Sequence, residues 1–182
     1  VRLARTIGRS ETVDLTVVTA GALLHDIGRN GRQEGEERTC HAGRGARLSQ
    51  EILAPLPLAA KQKDNIIHCV AAHRFRRAPD PQTTEARVVF DADKLDAIGA
   101  VGVARAYLFA GEQGACLHNP DIDVTREAAY SVNDTGYREY LVKLRWIKDR
   151  LLTETGRALA RDRHRFMTEF FGRFLDEYEG KY

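Results

Sequence analysis

The chain of 182 residues lacks most features that mark a specialised class of protein. Its three cysteines, Cys40, Cys69 and Cys116, form no CxxC pair, which argues against a disulfide framework and a structural zinc knuckle. No run of about 18 apolar residues is present, and no basic segment followed by an apolar one opens the chain. The sequence therefore predicts a protein of a reducing, cytoplasmic setting, with neither a membrane span nor a signal peptide.

Charge of one sign is not in excess either. The 28 lysines and arginines nearly balance the 26 acidic residues, giving a formal charge of +2, and the basic residues are scattered along the chain. This balance indicates a solvated surface of mixed charge rather than a scaffold for nucleic acid. With 43% hydrophobic residues, the chain can bury one core but is short for two, so a single domain over residues 1–182 is predicted.

What the sequence does have is helical periodicity, which predicts the all-α class. Asp14 is the predicted N-cap of an almost wholly apolar helix over Leu15 to Leu24, which should therefore be buried. Gly28 is expected to end it in the left-handed conformation that glycine tolerates. Because Val1 to Ile7 already has a helical pattern, the first helix is predicted to continue upstream.

Further helices are predicted over His41–Leu53 and Leu58–His73, and a helical pair over Glu85–Ala110. The segment from Gly111 to Asn133 has no periodicity and predicts a lid, a binding loop or a disordered connection. Two amphipathic stretches close the chain: the first carries Leu141, Leu144, Ile147 and Leu151, and the second Leu159, Phe166, Phe170 and Phe174. The aromatic stripe of the second stretch predicts a core contact or a homodimer contact.

The pair His25-Asp26 stands at the carboxyl end of the most apolar predicted helix. A carboxylate there is costly to desolvate unless it is compensated. Two interpretations follow from the residues alone. Asp26 faces solvent beside a hydrogen-bonded His25, or both side chains bind one divalent cation.

A second cluster of carboxylates, formed by Asp91, Asp93 and Asp96, lies among apolar residues of a later predicted helix. Asp93 and Asp96 are three residues apart and share a helix face, where like charges weaken an isolated helix unless a cation or a pKa split relieves them. For Asp91 a surface pair with Lys94 is the favoured interpretation. Asp93, beside an apolar stripe, is the predicted partner of Asp26.

These residues also carry a resemblance. The segments that carry it are Leu23-Leu24-His25-Asp26-Ile27-Gly28-Arg29, His41 with Gly43 and Gly45, His73-Arg74-Phe75-Arg76, Glu85-Ala86-Arg87-Val88-Val89, and Asp91-Ala92-Asp93-Lys94-Leu95-Asp96-Ala97-Ile98-Gly99-Ala100. In this order and spacing they resemble the HD-domain phosphohydrolase superfamily, in particular its small bacterial proteins of the YpgQ/YedJ type. The likeness continues through Thr153–Arg157 and Arg163–Phe171, so it covers nearly the whole chain. It implies an HD-type helical bundle with additional C-terminal helices.

The resemblance implies a set of metal ligands made of an early histidine, a His-Asp pair and a distant aspartate. Matched residue by residue, the pair is His25 and Asp26 and the distant aspartate is Asp93. The early histidine has no match, and by register it falls just before Val1. Nitrogen and oxygen donors of this kind suit one divalent ion, with Mn²⁺, Fe²⁺, Co²⁺, Ni²⁺, Zn²⁺ and Mg²⁺ as candidates.

Further site residues follow from the resemblance and from their closeness to these ligands in sequence. His41 and His73 match histidines that line the family's site, where they bind phosphate or a second metal; the alternative is that they are surface histidines near helix ends. Positive charge for the phosphate is predicted from Arg29, Arg74, Arg76 and Lys94. Asp96 is the candidate to orient or deprotonate the attacking water, and Asp96 and Lys94 are therefore the predicted catalytic residues.

The function implied is metal-dependent hydrolysis of a phosphoric ester or anhydride. Similarity to the YpgQ type points to nucleotides, including triphosphates cleaved to monophosphate and pyrophosphate. The predicted partner is thus a small phosphorylated molecule rather than a nucleic acid polymer. Two alternatives remain: a phosphodiesterase of the same fold, and a non-catalytic ligand-binding domain with an incomplete metal site.

Overall fold

The computed structural model describes residues 1–29, 41–75 and 78–181. Internal contacts group the chain into two units, the first made of Val1–Asp93 with Leu152–Gly156 and the second of Lys94–Leu151 with Arg157–Tyr182. All regular secondary structure in the described ranges is helical, which confirms the all-α class. The single domain over residues 1–182 stays a prediction.

The first unit contains five helices in chain order: α1 (Arg2–Ser10), α2 (Leu15–Leu24), α3 (His41–Leu53), α4 (Ala60–Ala72) and α5 (Thr84–Asp96), of which α5 belongs to this unit up to Asp93. Helix α4 contacts both α2 and α3, and α1 contacts α2. Ile7, Val17, Ile66 and Val70 are fully or almost fully buried and form part of the core of this unit. The core therefore holds α2 and the ends of α3 and α4, where the candidate site residues lie.

Helix α2 begins where the sequence predicts. The Asp14 side chain accepts hydrogen bonds from the backbone N–H groups of Thr16 and Val17, at 2.8 and 3.3 Å, so its role as N-cap is confirmed. The expected burial of the whole helix is wrong for one face, because Leu15 and Leu23 are 37% and 65% exposed. Neighbouring helices cover only part of a helix that is apolar on nearly all sides.

Gly28 has a different role from the one predicted. The left-handed glycines of the described residues do not include it. Instead, a Cβ atom at Gly28 would lie 2.2 Å from the carbonyl oxygen of His41 and 2.6 Å from the backbone nitrogen of Gly45. Glycine is required there because the turn after α2 passes directly against the first turn of α3. This close approach brings His41 to the end of α2.

Helix α5 also corrects an expectation. The predicted surface pair of Asp91 with Lys94 is wrong, because Asp91 is fully buried at 0% exposure. Its carboxylate accepts hydrogen bonds from the backbone N–H groups of Leu152 and Thr153, at 2.9 and 2.8 Å. These donors stabilise the buried charge.

The second unit contains α6 (Gly99–Glu112), α7 (Gly136–Val142), most of α8 (Glu154–Tyr178) and two 3-10 helices, Val124–Arg126 and Leu144–Arg150. Helix α7 contacts α6 and both 3-10 helices. The buried apolar residues of this unit include Ile98, Val103, Leu144, Ile147, Met167 and Phe171. Across the described part of the chain, no helix has the length and apolar character needed to cross a membrane.

The two C-terminal amphipathic stretches differ from their prediction in detail. The first is a short α-helix followed by a 3-10 helix rather than one continuous element. In α8 the buried positions are Ala160, Met167 and Phe171, whereas Phe166 of the predicted stripe is 41% exposed. The most buried face of α8 is thus rotated relative to the stripe, although Phe170 and Phe174 are half-buried and pack against Phe171. A homodimer contact of the exposed aromatic residues stays a prediction.

The segment without periodicity is organised by side-chain hydrogen bonds. The Asn133 carbonyl oxygen accepts from the amide of Asn119 at 3.1 Å, and the Asn133 amide donates to Glu127 at 3.0 Å. Side-chain amides replace the regular backbone ladder here, which explains why no period is visible in the sequence. The role of this segment as a lid or binding loop stays a prediction.

Candidate metal centre

Asp26 is the centre of a cluster of ionisable side chains in the first unit. Its Oδ1 lies 3.7 Å from Nε2 of His73 and 3.8 Å from Nε2 of His41. Its Oδ2 lies 3.5 Å from Nε2 of His25 and 3.0 Å from the guanidinium of Arg29. Three imidazoles and one guanidinium therefore approach a single carboxylate that stands just after α2.

A second carboxylate approaches from α5. Oδ1 of Asp93 lies 3.7 Å from Nε2 of His25, so that imidazole stands between Asp93 and Asp26. The structure thus brings together the three side chains that the sequence predicts as ligands, although Asp93 is 67 positions after Asp26 in the numbering of the chain. Their role as ligands stays a prediction.

Backbone carbonyl groups orient two of the imidazoles. Nδ1 of His25 lies 3.0 Å from the carbonyl oxygen of Ala22, and Nδ1 of His73 lies 2.7 Å from that of Val70. A carbonyl oxygen only accepts hydrogen bonds, so Nδ1 carries the proton in each ring and Nε2 presents its lone pair to the cluster. This is the tautomer and second hydrogen bond that metal-ligating histidines ordinarily have.

Burial within the cluster is uneven. Five side chains form the metal cluster: His25, Asp26, His41, His73 and Asp93. His73 is 2% exposed, whereas the other four keep between 24% and 32% of their surface in contact with solvent. Burial lowers the pKa of His41 below its ordinary value, the positive charge of Arg74 lowers it further, and the carboxylate of Asp26 opposes both. A lowered pKa keeps this imidazole neutral, as metal binding requires.

The donor atoms also satisfy the spacing that an ion needs. Asp26, His41 and His73 each offer one atom, and these atoms all lie within 4.8 Å of one another. Ligand atoms at about 2.0–2.2 Å from one ion lie roughly 3–4 Å apart. These three donors therefore fit a divalent cation with nitrogen and oxygen ligands, and the group of three does not include His25 or Asp93. The sequence predicts His41 and His73 as residues that line the site and not as members of the ligand set. Their positions at the start of α3 and the end of α4 are the signal that could have indicated a ligand role.

The predicted cations are placed differently from one another. Arg29 pairs with Asp26 while 63% of its side chain is exposed. Arg74 is half-buried and near enough to His41 to lower its pKa. Arg76 lies outside the described residues. Two predicted phosphate-binding arginines are thus at or near the cluster.

The two predicted catalytic residues belong to the second unit. Lys94 is half-buried, and Asp96 is 57% exposed and forms an ion pair with Arg105. The pair is a structural role for the carboxylate of Asp96. A catalytic role for either residue stays a prediction.

The all-helical fold gathers a His-Asp pair, a distant aspartate and two further histidines, which agrees with the resemblance to HD-superfamily hydrolases. The HD domain model matches residues 1–98 of this chain, which include all five side chains of the cluster. The chain therefore belongs to the HD-domain family, whose members are metal-dependent.

Individual relatives support the same assignment. YpgQ of Bacillus subtilis is 35% identical over 176 residues, which cover 92% of this chain and 75% of the relative. The crystal structure of B. subtilis YpgQ in complex with ADP has a TM-score of 0.72 at 32% identity, covering 97% of this chain and 83% of that one. An HD-superfamily hydrolase from Bacillus thuringiensis has a TM-score of 0.76 at 24% identity, covering 98% and 81%, a likeness in fold alone.

Proposed function

We propose that the protein is a metal-dependent phosphohydrolase that acts on nucleotides. The observation that carries this proposal is the approach of three imidazole Nε2 atoms to carboxylate oxygens at 3.5 to 3.8 Å, all within one unit. Asp26 and Asp93 would balance the two charges of a divalent ion, and His25 would add a nitrogen ligand. His41 and His73 would bind the same ion or a neighbouring one.

A divalent ion held there would supply Lewis acidity toward a phosphoryl oxygen and make a hydroxide nucleophile available near neutral pH. The chain's own part is to fix the donors. Carbonyl oxygens orient His25 and His73, and burial keeps His73 away from solvent. A site with such fixed donors loses little free energy to reorganisation when the ion binds.

Cations beside the cluster would hold the phosphate. The guanidinium of Arg29 can leave or share the oxygen of Asp26, since most of its side chain is exposed. Arg74 adds a second positive charge near His41. Guanidinium groups suit phosphate because they donate two parallel hydrogen bonds. Lys94 and Asp96 stay predictions from their closeness to Asp93 in the sequence, and this proposal assigns them no step.

Nucleotides are the substrate class that the relatives favour. A relative of 32% identity has been crystallised in complex with ADP. For a nucleoside triphosphate, attack of water on the α-phosphorus would break the bond to the bridging oxygen and release a nucleoside monophosphate and pyrophosphate. The water oxygen then ends on the monophosphate, and the leaving oxygen on pyrophosphate.

The test combines metal content with substrate conversion. Protein purified without added metal is analysed for its elements, then incubated with Mn²⁺ and a panel of nucleoside triphosphates, monophosphates and cyclic nucleotides. We expect bound metal and release of pyrophosphate from a triphosphate. In Asp93→Ala the metal affinity and the rate of pyrophosphate release should each fall by roughly a hundredfold or more. The helical circular dichroism should be unchanged.

Asp64→Ala is the matched control, because Asp64 is an exposed carboxylate on α4 in the same unit. This variant should keep metal and activity. Metal retained at wild-type stoichiometry in Asp93→Ala would contradict the ligand assignment. Hydrolysis of cyclic nucleotides alone would favour the phosphodiesterase alternative, and nucleotide binding without any hydrolysis would favour a ligand-binding domain.

A further inference from the structure

The buried carboxylate of Asp91 joins α5 to a segment far along the chain. Its Oδ1 accepts a hydrogen bond from the backbone N–H of Leu152 at 2.9 Å. Its Oδ2 accepts two from Thr153, one from the backbone N–H at 2.8 Å and one from the hydroxyl at 2.6 Å. Three donors on one buried carboxylate fix it more firmly than a single bond would, since each bond to a charged group is stronger than a neutral one.

The segment on the other side is fixed as well. The hydroxyl oxygen of Thr153 accepts the backbone N–H of Gly156 at 2.9 Å, as an N-cap of α8 does. A Cβ atom at Gly156 would lie only 2.2 Å from Oδ2 of Asp91, so the backbone packs directly on the carboxylate. We name these three residues, Asp91, Thr153 and Gly156, the Asp91 clamp.

The clamp and the metal cluster use opposite sides of one helix. Asp91 and Asp93 are two residues apart on α5, which turns about 100° per residue, so their side chains point about 200° apart. Asp93 reaches Nε2 of His25 at 3.7 Å on one side, while the clamp binds on the other. A rotation of α5 about its axis would therefore move both contacts together.

Small rotations matter for ligation. A carboxylate lies about 6 Å from the helix axis, so a rotation of about 20° displaces it by about 2 Å. Metal–ligand distances tolerate deviations of only about 0.2 Å. The rotation of α5 must consequently be set closely, and the clamp is a hydrogen-bonded contact only two residues from Asp93 that helps to set it.

The start of α5 has its own attachment. Glu85 accepts hydrogen bonds from the backbone N–H of Asp14 at 2.9 Å and from the amide of Asn65 at 3.1 Å. This attachment is eight residues before Asp93, or about 12 Å along the helix. It anchors the beginning of α5, whereas the clamp holds the second half together with the core packing of Val89 and Ala92.

We infer that Asp91 is a positioning residue, whose clamp on Thr153 and Gly156 sets the place of the Asp93 carboxylate relative to His25. The inference deepens the proposed function and rests on it for its consequence, which is metal affinity. Its structural content is independent of any ion. The position of Asp93 depends on a hydroxyl group that lies 60 residues farther along the chain.

The test uses Thr153, because a change of Asp91 itself can prevent folding. Thr153→Val keeps the shape and removes the hydroxyl, whereas Thr153→Ser keeps the hydroxyl and removes a methyl group. Asn65→Ala is the matched control, since it weakens the attachment at the start of α5. Crystal structures of all four proteins and titration calorimetry with Mn²⁺ alone supply the two measurements.

In Thr153→Val we expect the separation of Asp93 Oδ1 and His25 Nε2 to increase beyond 3.7 Å and the Mn²⁺ affinity to fall about tenfold. Thr153→Ser and Asn65→Ala should keep both values near wild type, even where thermal stability falls. An unchanged separation in Thr153→Val would overturn the inference whatever the affinity. If the wild type binds no Mn²⁺ while Asp93 still moves in Thr153→Val, the proposed function fails and the positioning role stands.

Discussion

Histidines in the two units have contrasting surroundings. In the first unit His25 and His73 each place Nδ1 on a carbonyl oxygen and Nε2 near the carboxylate of Asp26. In the second unit His118 is flanked by aromatic rings, with centroids at 5.4, 5.7 and 4.9 Å for Tyr137, Phe174 and Tyr178. Its buried Nδ1 has no hydrogen-bond partner among the residues that the structure describes. The imidazole is thus a polar group directed at a carboxylate in the first unit and an aromatic packing group in the second.

The difference shows how a histidine is recognised as a ligand candidate. A histidine that binds an ion ordinarily donates a hydrogen bond from one ring nitrogen and directs the lone pair of the other toward the remaining ligand atoms. Burial lowers the pKa of His118, and the negative charge of Glu179 opposes this only in part. His118 therefore supplies a neutral aromatic surface, whereas the first-unit histidines supply lone pairs.

The largest expected effect comes from making the same substitution, histidine to phenylalanine, once in each unit. His73→Phe should reduce Mn²⁺ affinity by about tenfold to a hundredfold, because it removes a nitrogen from the buried part of the cluster. His118→Phe should leave Mn²⁺ affinity unchanged and keep or raise stability by about 1 kcal/mol, since it removes a buried polar atom that lacks a partner. Titration calorimetry and thermal unfolding measure the two effects. Equal loss of Mn²⁺ binding in both variants would remove the contrast.

A medium effect is expected from pH on the second unit. Burial lowers the pKa of both His118 and His164 below their ordinary value of 6.5. Below pH 6.5 the unfolded chain takes up protons on these two histidines that the folded chain does not. The stability that is present above pH 6.5 is therefore lost as the pH falls from 6.5 through the lowered pKa values. Thermal unfolding from about pH 7.5 to about pH 5.5 should show a falling Tm, and His118→Phe should make the decline shallower. A slope unaltered by that variant would contradict the pKa shift of His118.

The smallest effect is expected at Asp96, the second-unit carboxylate predicted to be catalytic because it lies one helical turn from Asp93. Asp96 and Arg105 form an exposed ion pair, and such pairs contribute about 1 kcal/mol or less. If the pair is the whole role of Asp96, Asp96→Asn and Arg105→Gln should each change kcat by less than about threefold, which is the outcome that the pair favours. A fall of about a hundredfold in kcat for Asp96→Asn alone would instead assign it to proton transfer.

Local signals explain which parts of the fold the sequence predicts. The bounds of α3, His41–Leu53, are those expected, because Pro55 stops the helix just after its end. Asp14 is recognisable as an N-cap because its effect is confined to the next three residues. The predicted convergence of the His-Asp pair with Asp93 rests on a carboxylate beside an apolar stripe together with the family resemblance.

Contacts between distant residues explain what the sequence does not predict. The burial of Asp91 depends on hydrogen bonds from Thr153, which is 62 positions away. The sequence around Asp91 does not predict this hydrogen-bond donor. Gly28 is required by the backbone of His41 and Gly45 rather than by its own turn. The order in the aperiodic segment likewise comes from side-chain amides such as Asn133, which read as ordinary loop residues until their partners are known.

In the proposed site, side chains from α5, the start of α3 and the ends of α2 and α4 meet around a divalent cation. Anomalous diffraction from crystals grown with Mn²⁺, recorded near the manganese absorption edge, tests it most directly. We predict a peak within bonding distance of a carboxylate oxygen of Asp26, together with Asp93 Oδ1 and Nε2 of His25. A map with manganese bound elsewhere, or with no peak among these side chains at saturating Mn²⁺, would rule out this metal site.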